Sequence, residues 1–246
     1  MGKRARLDWI LMERGLVASR EEGRRRIMVG EVLVKDRSVT KAGALVDPDA
    51  PIRLTGKVLP YVSRGGLKLE RALDEFEIKT RDRIVLDVGA STGGFTDCLL
   101  ARGARRVYAV DVGYGQLDWG LRNDPRVLVL EKKNIRYLRP EELPAPPELA
   151  VIDVSFISLR LVIPKVIKLL PREGEILALI KPQFEVGRGK VGKGGVVRAP
   201  GEHSRVIAGI REVAEKSGLE VGGVTESPLL GPKGNKEFFI YLIKRG

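Results

Sequence analysis

Two lysines and two carboxylates stand at positions from which a folded chain can bring distant side chains together. Two of them directly follow apolar runs, one precedes such a run, and one lies on a helical segment that leads into this region; in chain order they are Lys68, Asp153, Lys181 and Glu237. A lysine whose pKa is lowered by neighbouring cations and partial burial can take a proton from a hydroxyl group. Singly, each would be an ordinary surface residue, but their joint placement predicts one site that acts on a hydroxyl.

A glycine-rich loop at 87–96 predicts a ligand site beside these residues. The apolar run Ile84–Leu86 is typical of a strand buried on both faces of a parallel sheet. Glycines in the following turn let backbone and ligand approach closely. Ser91 stands where a dinucleotide fingerprint has its second glycine, and the loop contains no Gly-Lys-Ser/Thr sequence, which counts against NAD and ATP.

Two carboxylates at strand ends narrow the predicted ligand to S-adenosylmethionine. Asp87 suits a cationic or amine-bearing group such as the methionyl part of this cofactor. Asp111 closes the next strand 24 residues further on, where a carboxylate can accept both ribose hydroxyls. The predicted cofactor-binding residues are Asp87, Gly89, Ala90, Ser91, Thr92, Gly93, Phe95, Asp111, Val112, Asn134 and Asp153.

Strands and helices alternate through most of the chain, which predicts an α/β fold. Strands are expected at 84–88, 107–112, 127–130, 149–154, 176–180, 221–225 and 238–243, with a helix near 202–216 before the last two. This order is typical of a doubly wound, Rossmann-like parallel sheet of seven strands whose last strand is antiparallel. Residues 1–60 form a separate small α+β module in this interpretation, joined by a linker at 57–63 to a domain at 61–246.

Basic residues predict a polyanionic partner. The 246-residue chain has a net charge of +12, and residues 1–60 contain a run of arginines on a helix that Ser19 and Glu22 can cap. Closely spaced arginines can contact successive phosphates. The predicted RNA-binding residues are Arg4, Arg6, Arg20, Arg24, Arg25, Arg26 and Arg64, with Arg188, Lys190 and Lys193 of a second, glycine-rich loop.

Several other classes of site and location are disfavoured by composition. The single cysteine, Cys98, excludes an intramolecular disulfide and a cysteine-based metal site, and no metal site can be assembled around the single histidine, His203. Nothing approaches the roughly 18 consecutive apolar residues of a membrane span. No apolar signal core follows the basic N-terminus, so a cytoplasmic protein is expected. The sequence leaves the oligomeric state open.

The motif at 153–156 indicates an oxygen acceptor. Base amino-methyltransferases resemble this region but have two prolines where this chain has Val154 and Ser155. Cytosine C5-methyltransferases need a cysteine nucleophile near this position, and Cys98 lies elsewhere. Oxygen remains as a natural acceptor, and a ribose 2′-hydroxyl, being a poor nucleophile, would need a base or a strong hydrogen-bond acceptor beside it.

The motifs together resemble those of a known family. The pattern from Ser19 to Val34 is similar to the αL RNA-binding motif, and the Lys-Asp-Lys-Glu order resembles the tetrad of FtsJ-like ribose 2′-O-methyltransferases. With the segments 62–69, 87–96, 153–159, 181–185 and 192–197, the chain resembles the TlyA family of rRNA methyltransferases, also called haemolysin A, over essentially its whole length.

This resemblance implies a reaction and a role for each tetrad residue. The reaction is methylation of cytidine ribose in large-subunit rRNA, and in some members small-subunit rRNA as well. Lys181 would be the base or would position the hydroxyl, Lys68 and Glu237 would set its protonation and orient the ribose, and Asp153 would lie between cofactor and acceptor. The alternatives are a base amino-methyltransferase and a non-catalytic RNA-binding or ribosome-assembly protein. The haemolysin name implies a pore-former, but the sequence contains no amphipathic spanning segment.

Overall fold

A computed structural model describes residues 4–17, 19–28, 30–41, 43–55, 60–187, 191–192 and 194–245. The chain divides into two compact units, residues 1–59 and residues 60–246. Each unit has a hydrophobic core of its own, so each is described separately.

The N-terminal unit combines two short helices with small antiparallel sheets. Its elements are β1 (Ala5–Arg6), α1 (Leu7–Glu13), α2 (Arg20–Met28), β2 (Val32–Val34), β3 (Arg37–Ser38), β4 (Leu45–Val46) and β5 (Ile52–Leu54). Strand β2 is the centre of a three-stranded antiparallel sheet with β3 and β5, and β1 pairs with β4. Helix α2 begins where Ser19 Oγ accepts a hydrogen bond from Glu22 N at 3.1 Å, as the capping sequence predicts.

The second unit is built around a seven-stranded sheet. Its strands are β6 (Ile84–Val88), β7 (Arg106–Val110), β8 (Val127–Leu130), β9 (Leu149–Ile152), β10 (Glu175–Ile180), β11 (Leu219–Glu226) and β12 (Phe238–Lys244). The spatial order is β11-β12-β10-β9-β6-β7-β8. Strands β10, β9, β6, β7 and β8 are parallel, whereas β12 is antiparallel to both of its neighbours. The predicted α/β fold with an antiparallel last strand is confirmed.

Helices cover both faces of this sheet. They are α3 (Arg64–Glu75), α4 (Gly94–Ala101), α5 (Trp119–Arg122), α6 (Leu159–Val166), α7 (Pro182–Glu185) and α8 (Pro200–Lys216). Side chains of α6 and α8 pack in one apolar cluster, and those of α3 and α4 pack in a second. All residues of β6 are buried, which explains why its sequence is an unbroken apolar run up to Asp87. Among the described residues no helix is long and apolar enough to cross a membrane.

Two strands end earlier than the sequence predicts. Strand β7 ends at Val110 and β9 ends at Ile152, two residues before the expected ends in each case. Asp111 and Asp153 therefore begin loops at the carboxyl edge of the sheet. Side chains within a strand point alternately to the two faces of the sheet, and because both carboxylates lie beyond the strand ends this alternation does not fix their directions.

Candidate active site

The loop after β6 has a backbone that only small residues can form. Gly89 and Gly93 have φ angles of 88° and 96°, and Ser91 has a φ of 50°. A Cβ on Gly89 would lie 2.4 Å from the carbonyl oxygen of Asp153. Glycine is therefore required where the loop passes against the end of β9.

Asp111 holds this loop to the end of β7. Its Oδ2 accepts a hydrogen bond from Ser91 N at 2.8 Å, and its Oδ1 accepts one from Gly113 N at 2.7 Å. Both carboxylate oxygens thus fix loop backbone at the mouth of the sheet. The carboxylate also lines a cleft at this edge, where a ligand with hydroxyl donors can reach it.

Asp87 is directed differently from the sequence expectation. Its side chain is fully buried, and Oδ2 accepts a hydrogen bond from Thr96 Oγ1 of α4 at 2.7 Å. The pKa of Asp87 is raised to about 7, chiefly by burial and also by the nearby charges of Asp153 and Asp111, against the opposing effect of the hydrogen bond from Thr96. The side chain does not line either cleft, and its hydrogen bond from Thr96 connects the end of β6 to the first turn of α4.

Two clefts meet at the glycine-rich loop. The larger cleft, of about 740 Å³, lies beside the ends of β7 and β8, and the smaller cleft, of about 390 Å³, lies between α3 and the ends of β9 and β10. Gly89, Ser91 and Asp153 line both. An elongated ligand can therefore occupy both clefts and cross this loop.

The predicted cofactor residues divide between the clefts. Val112 and Asn134 line the larger cleft with Asp111, while Ala90, Thr92 and Phe95 line the smaller one. Asn134 Oδ1 accepts a hydrogen bond from Arg136 N at 3.1 Å, which fixes the start of the 3₁₀ turn Ile135–Tyr137. Gly93 is not a lining residue; a Cβ there would lie 2.4 Å from Leu121 Cδ1.

All four tetrad residues line the smaller cleft, where they form two ion pairs. Lys68 Nζ lies 2.7 Å from Glu237 Oε2, and Lys181 Nζ lies 2.5 Å from Asp153 Oδ1. Lys181 Nζ also donates a hydrogen bond to Ser155 Oγ at 3.0 Å. The carboxylate beside Lys181 is thus Asp153, whereas Glu237 is bound to Lys68.

Glu237 is held by the connection between β11 and β12. Its backbone oxygen accepts a hydrogen bond from Ser227 N at 2.9 Å, and its side chain is completely buried. A Cβ on Gly231 would lie 2.0 Å from Glu237 Oε1, so this glycine makes room for the carboxylate. Oε1 itself has no hydrogen-bond partner among the described residues, which leaves an acceptor at the cleft.

Three residues beside the tetrad were not predicted as site residues. Ser155 bonds to Lys181, and the ring of Phe156 is 92% exposed while its centroid lies 5.0 Å from that of Phe184. Phe156 has a φ of 64°, an unfavourable backbone conformation for an aromatic residue. The only sequence signal for these residues was that Val154 and Ser155 stand where base amino-methyltransferases have two prolines. That difference does not predict an exposed ring at Phe156.

The predicted RNA-binding arginines have different environments. Arg4, Arg20 and Arg24 are exposed, as is Arg64 beside the smaller cleft. Arg25 is half-buried. Arg188, Lys190 and Lys193 lie outside the described residues.

Ion pairs engage several arginines of the N-terminal unit, among them the exposed Arg20, whose guanidinium lies 3.5 Å from Asp8 Oδ2. Arg6 binds the buried Asp8 through two hydrogen bonds of 2.9 and 2.8 Å, and this guanidinium lowers the pKa of Asp8. Arg26 is buried, and its Nε lies 3.0 Å from Glu22 Oε1. The prediction that Arg26 contacts RNA is therefore corrected, because its guanidinium faces its own helix partner rather than solvent.

Comparison with known proteins agrees with this geometry. Residues 61–244 match the model of the FtsJ-like methyltransferase family. The 16S/23S rRNA (cytidine-2′-O)-methyltransferase TlyA of Mycobacterium tuberculosis is 47% identical over 243 residues, covering 98% of this chain and 91% of the relative. Hemolysin A of Brachyspira hyodysenteriae is 41% identical over 240 residues, covering 97% and 99%.

A solved structure shares the fold along the whole chain. A Streptococcus thermophilus protein that carries the name hemolysin superposes with a TM-score of 0.78 at 43% identity, covering 100% of this chain and 90% of the other. A methyltransferase from Synechocystis, at 13% identity and a TM-score of 0.52, shows the same fold over 78% of this chain and 90% of its own. The glycine-rich loop, the sheet order and the family match agree, and the chain belongs to the FtsJ-like methyltransferase family.

Proposed function

We propose that the protein transfers a methyl group from S-adenosylmethionine to the ribose 2′-hydroxyl of a cytidine in ribosomal RNA. The observation that carries this proposal is the convergence of Lys68, Asp153, Lys181 and Glu237 on one cleft beside the glycine-rich loop. The relatives named as rRNA cytidine-2′-O-methyltransferases support the choice of acceptor.

The residues present fit this cofactor. The larger cleft has room for the nucleoside part, with Asp111 placed for ribose hydroxyls and Asn134 beside the base. The smaller cleft takes the amino-acid part beside Gly89, Ala90 and Asp153. S-adenosylmethionine, when bound, supplies an electrophilic methyl group on a positively charged sulfur.

Lys181 is the proposed proton acceptor. Lys181 first releases to solvent the proton of its ion pair with Asp153, and its amine then takes the proton of the 2′-hydroxyl while the hydroxyl oxygen bonds to the methyl carbon. The bound cofactor would supply this methyl group, and its sulfur would keep the electron pair of the bond that is broken. Asp153, 2.5 Å from Nζ, then stabilises the ammonium ion that results. Ser155 accepts a hydrogen bond from the same nitrogen, so the amine is oriented before the acceptor arrives.

Lys68 and Glu237 are proposed to position the acceptor. Their ion pair lies at the opposite wall of the smaller cleft, with Glu237 fully buried. The charge of each residue is therefore balanced locally, and the pair presents a fixed hydrogen-bonding surface to the ribose. The exposed ring of Phe156 at the same edge suits stacking of the base attached to that ribose.

The N-terminal unit is proposed to bind RNA through its exposed arginines. Arg20 and Arg24 lie on or at the start of α2 and remain accessible to phosphates. We propose residues 1–60 as an αL-type RNA-binding domain, joined by a linker at 57–63 to the methyltransferase domain at 61–246. We expect a cytoplasmic location, because the ribosomal subunits that are the proposed substrate lie in the cytoplasm.

The test is methyl transfer to unmodified ribosomal subunits. The protein is incubated with the labelled cofactor and each subunit separately, and the RNA is digested to nucleosides. We expect label in 2′-O-methylcytidine, and comparison of the two subunits shows which is modified. Label in a base-methylated nucleoside, or transfer to neither subunit, would refute the proposal.

A further inference from the structure

We infer that the sheet edge beyond the larger cleft is a second RNA-contacting surface of the methyltransferase unit. This surface, the aromatic rim, consists of Tyr114, Trp119, Lys132, Arg136 and Tyr137. The inference rests on the proposed function and deepens it, because it assigns where the RNA around the acceptor nucleotide is held.

Three large aromatic side chains of the rim are displayed to solvent. Tyr114 and Trp119 are each 71% exposed, and Tyr137 is 72% exposed. None of them lines either cleft, so the cofactor does not account for them. Rings displayed in this way are typical of surfaces on which the bases of single-stranded nucleic acid stack.

Cations accompany two of these rings. Lys132 Nζ lies 4.5 Å from the centroid of the Tyr114 ring, and Arg136 Cζ lies 5.5 Å from that of Tyr137. Neither Lys132 nor Arg136 forms an ion pair with any residue that the structure describes. Each pair can therefore contact a base through its ring and a neighbouring phosphate through its cation.

The rim is held in place by backbone hydrogen bonds. Lys132 has a φ of 54°, in the left-handed region, and its amide donates to Gly113 O at 3.0 Å. Glu131 accepts a hydrogen bond from Gly115 N at 2.8 Å and pairs with Arg122 at 2.5 Å. The carboxylate nearest to Lys132 in sequence is thus used internally and does not oppose an approaching phosphate.

The positive charge of the chain and the proximity of the rim to the larger cleft favour RNA over a protein partner. The chain carries a net charge of +12, and Arg136 of the rim lines the same cleft as Phe156, which stands beside the tetrad. A strand whose target base stacks on Phe156 would continue along this edge past Tyr137 towards Tyr114. The ligand class is therefore a single-stranded or unpaired segment of rRNA flanking the acceptor cytidine.

The experiment compares rim variants with a matched control in the full chain. Tyr114→Ala combined with Tyr137→Ala, and Lys132→Ala alone, are compared with Lys216→Ala, an exposed lysine on α8. Binding to unmodified subunits and to protein-free rRNA is measured by filter retention over a range of salt, and cofactor affinity is measured by calorimetry. Circular dichroism checks that each variant is folded.

We expect the double aromatic variant to bind both RNAs about tenfold more weakly. Lys132→Ala should reduce the slope of log K against log salt by about one. Cofactor affinity and the control should match the parent protein. Unchanged RNA affinity would overturn the inference.

Two other results would also overturn it. Weaker binding to subunits with unchanged binding to protein-free rRNA would mean that the rim meets a ribosomal protein. A change in oligomeric state on mutation would mean that it meets a second copy of the chain. Methyl transfer by the parent protein is scored separately, so failure of the proposed function and failure of this inference give different results.

Discussion

The smaller cleft and helix α2 both concentrate basic side chains, but they differ in how many of these charges a carboxylate neutralises. In the cleft, both tetrad lysines are only 11–12% exposed and each lies within 2.7 Å of a carboxylate. On α2, Arg24 is exposed and has no ion pair among the described residues, whereas Arg26 is buried against Glu22. The count of basic residues is therefore a poor guide to function, and the position of each carboxylate decides what a cation does.

The largest expected effect on activity comes from substitution of Lys181 in the smaller cleft. Lys181→Ala removes the proposed proton acceptor, so we expect kcat to fall by about 10³-fold. Cofactor affinity by calorimetry should stay within about twofold of the parent value, because the amine serves the acceptor hydroxyl.

Lys181→Arg is the matched variant for this test. It retains a positive charge beside Asp153, but a guanidinium does not release its proton in proteins. We expect it to be as inactive as the alanine variant. Substantial activity would show that Nζ positions the hydroxyl without taking its proton.

Glu237→Gln tests whether the second ion pair is essential. The amide preserves shape but leaves the charge of Lys68 without its buried partner, so we expect a loss of about 3 kcal/mol in the free energy of unfolding. Methyl transfer should fall about 10- to 100-fold because the ribose is less well oriented. Urea unfolding and steady-state kinetics measure the two effects.

Glu212→Gln is the control for that variant. Its pair with Lys216 has a similar distance, 2.6 Å, but both side chains are largely exposed. We expect no measurable change in stability or activity. Equal losses in the two variants would contradict the distinction between buried and exposed pairs.

On helix α2, substitution of Arg24 should affect RNA binding, whereas substitution of Arg26 should affect the stability of the fold. Arg24→Ala should weaken RNA binding several-fold and reduce the slope of log K against log salt by about one. Arg26→Ala should leave that slope unchanged and lower the thermal midpoint, because a buried side chain and its ion pair with Glu22 are lost. A reduced slope in the Arg26 variant would show that Arg26 does contact RNA.

The last prediction concerns the pH dependence of stability and the buried Asp87. Its raised pKa, about 7, means that the folded protein holds a proton that the unfolded chain has released. The stability conferred is present in acid and is lost as pH rises through about 7, at about 1.4 kcal/mol for each unit of pKa shift. Asp87→Asn should therefore gain stability relative to the parent protein as pH rises from about 5 to about 8. A constant difference across this range, measured by urea unfolding, would contradict the assignment.

The fold and the gathering of the tetrad follow from sequence because both depend on periodicity. Alternating strands and helices indicate a parallel sheet, and parallel strands bring their carboxyl ends to one edge. Residues that follow those strands, such as Asp153 and Lys181, must then lie close together. The last strand begins beside that edge because it is antiparallel, which explains the placement of Glu237.

Pairings and side-chain directions could not be predicted in this way. Lys68 and Glu237 are 169 residues apart, and only the path of the β11–β12 connection brings the carboxylate to α3. Asp87 is buried and bound to Thr96, a direction that the apolar run before it does not reveal. Phe156 is exposed and has a φ of 64°, and periodicity reveals neither property.

The identity of the acceptor atom can be tested most directly with a modified substrate. Once the methylated cytidine is mapped, an otherwise identical RNA is assembled with 2′-deoxycytidine at that position, and transfer from the labelled cofactor is measured in single turnover. We predict that transfer to that position is abolished while binding is retained, because the attacking oxygen is missing. Continued methylation of the 2′-deoxycytidine would contradict the account.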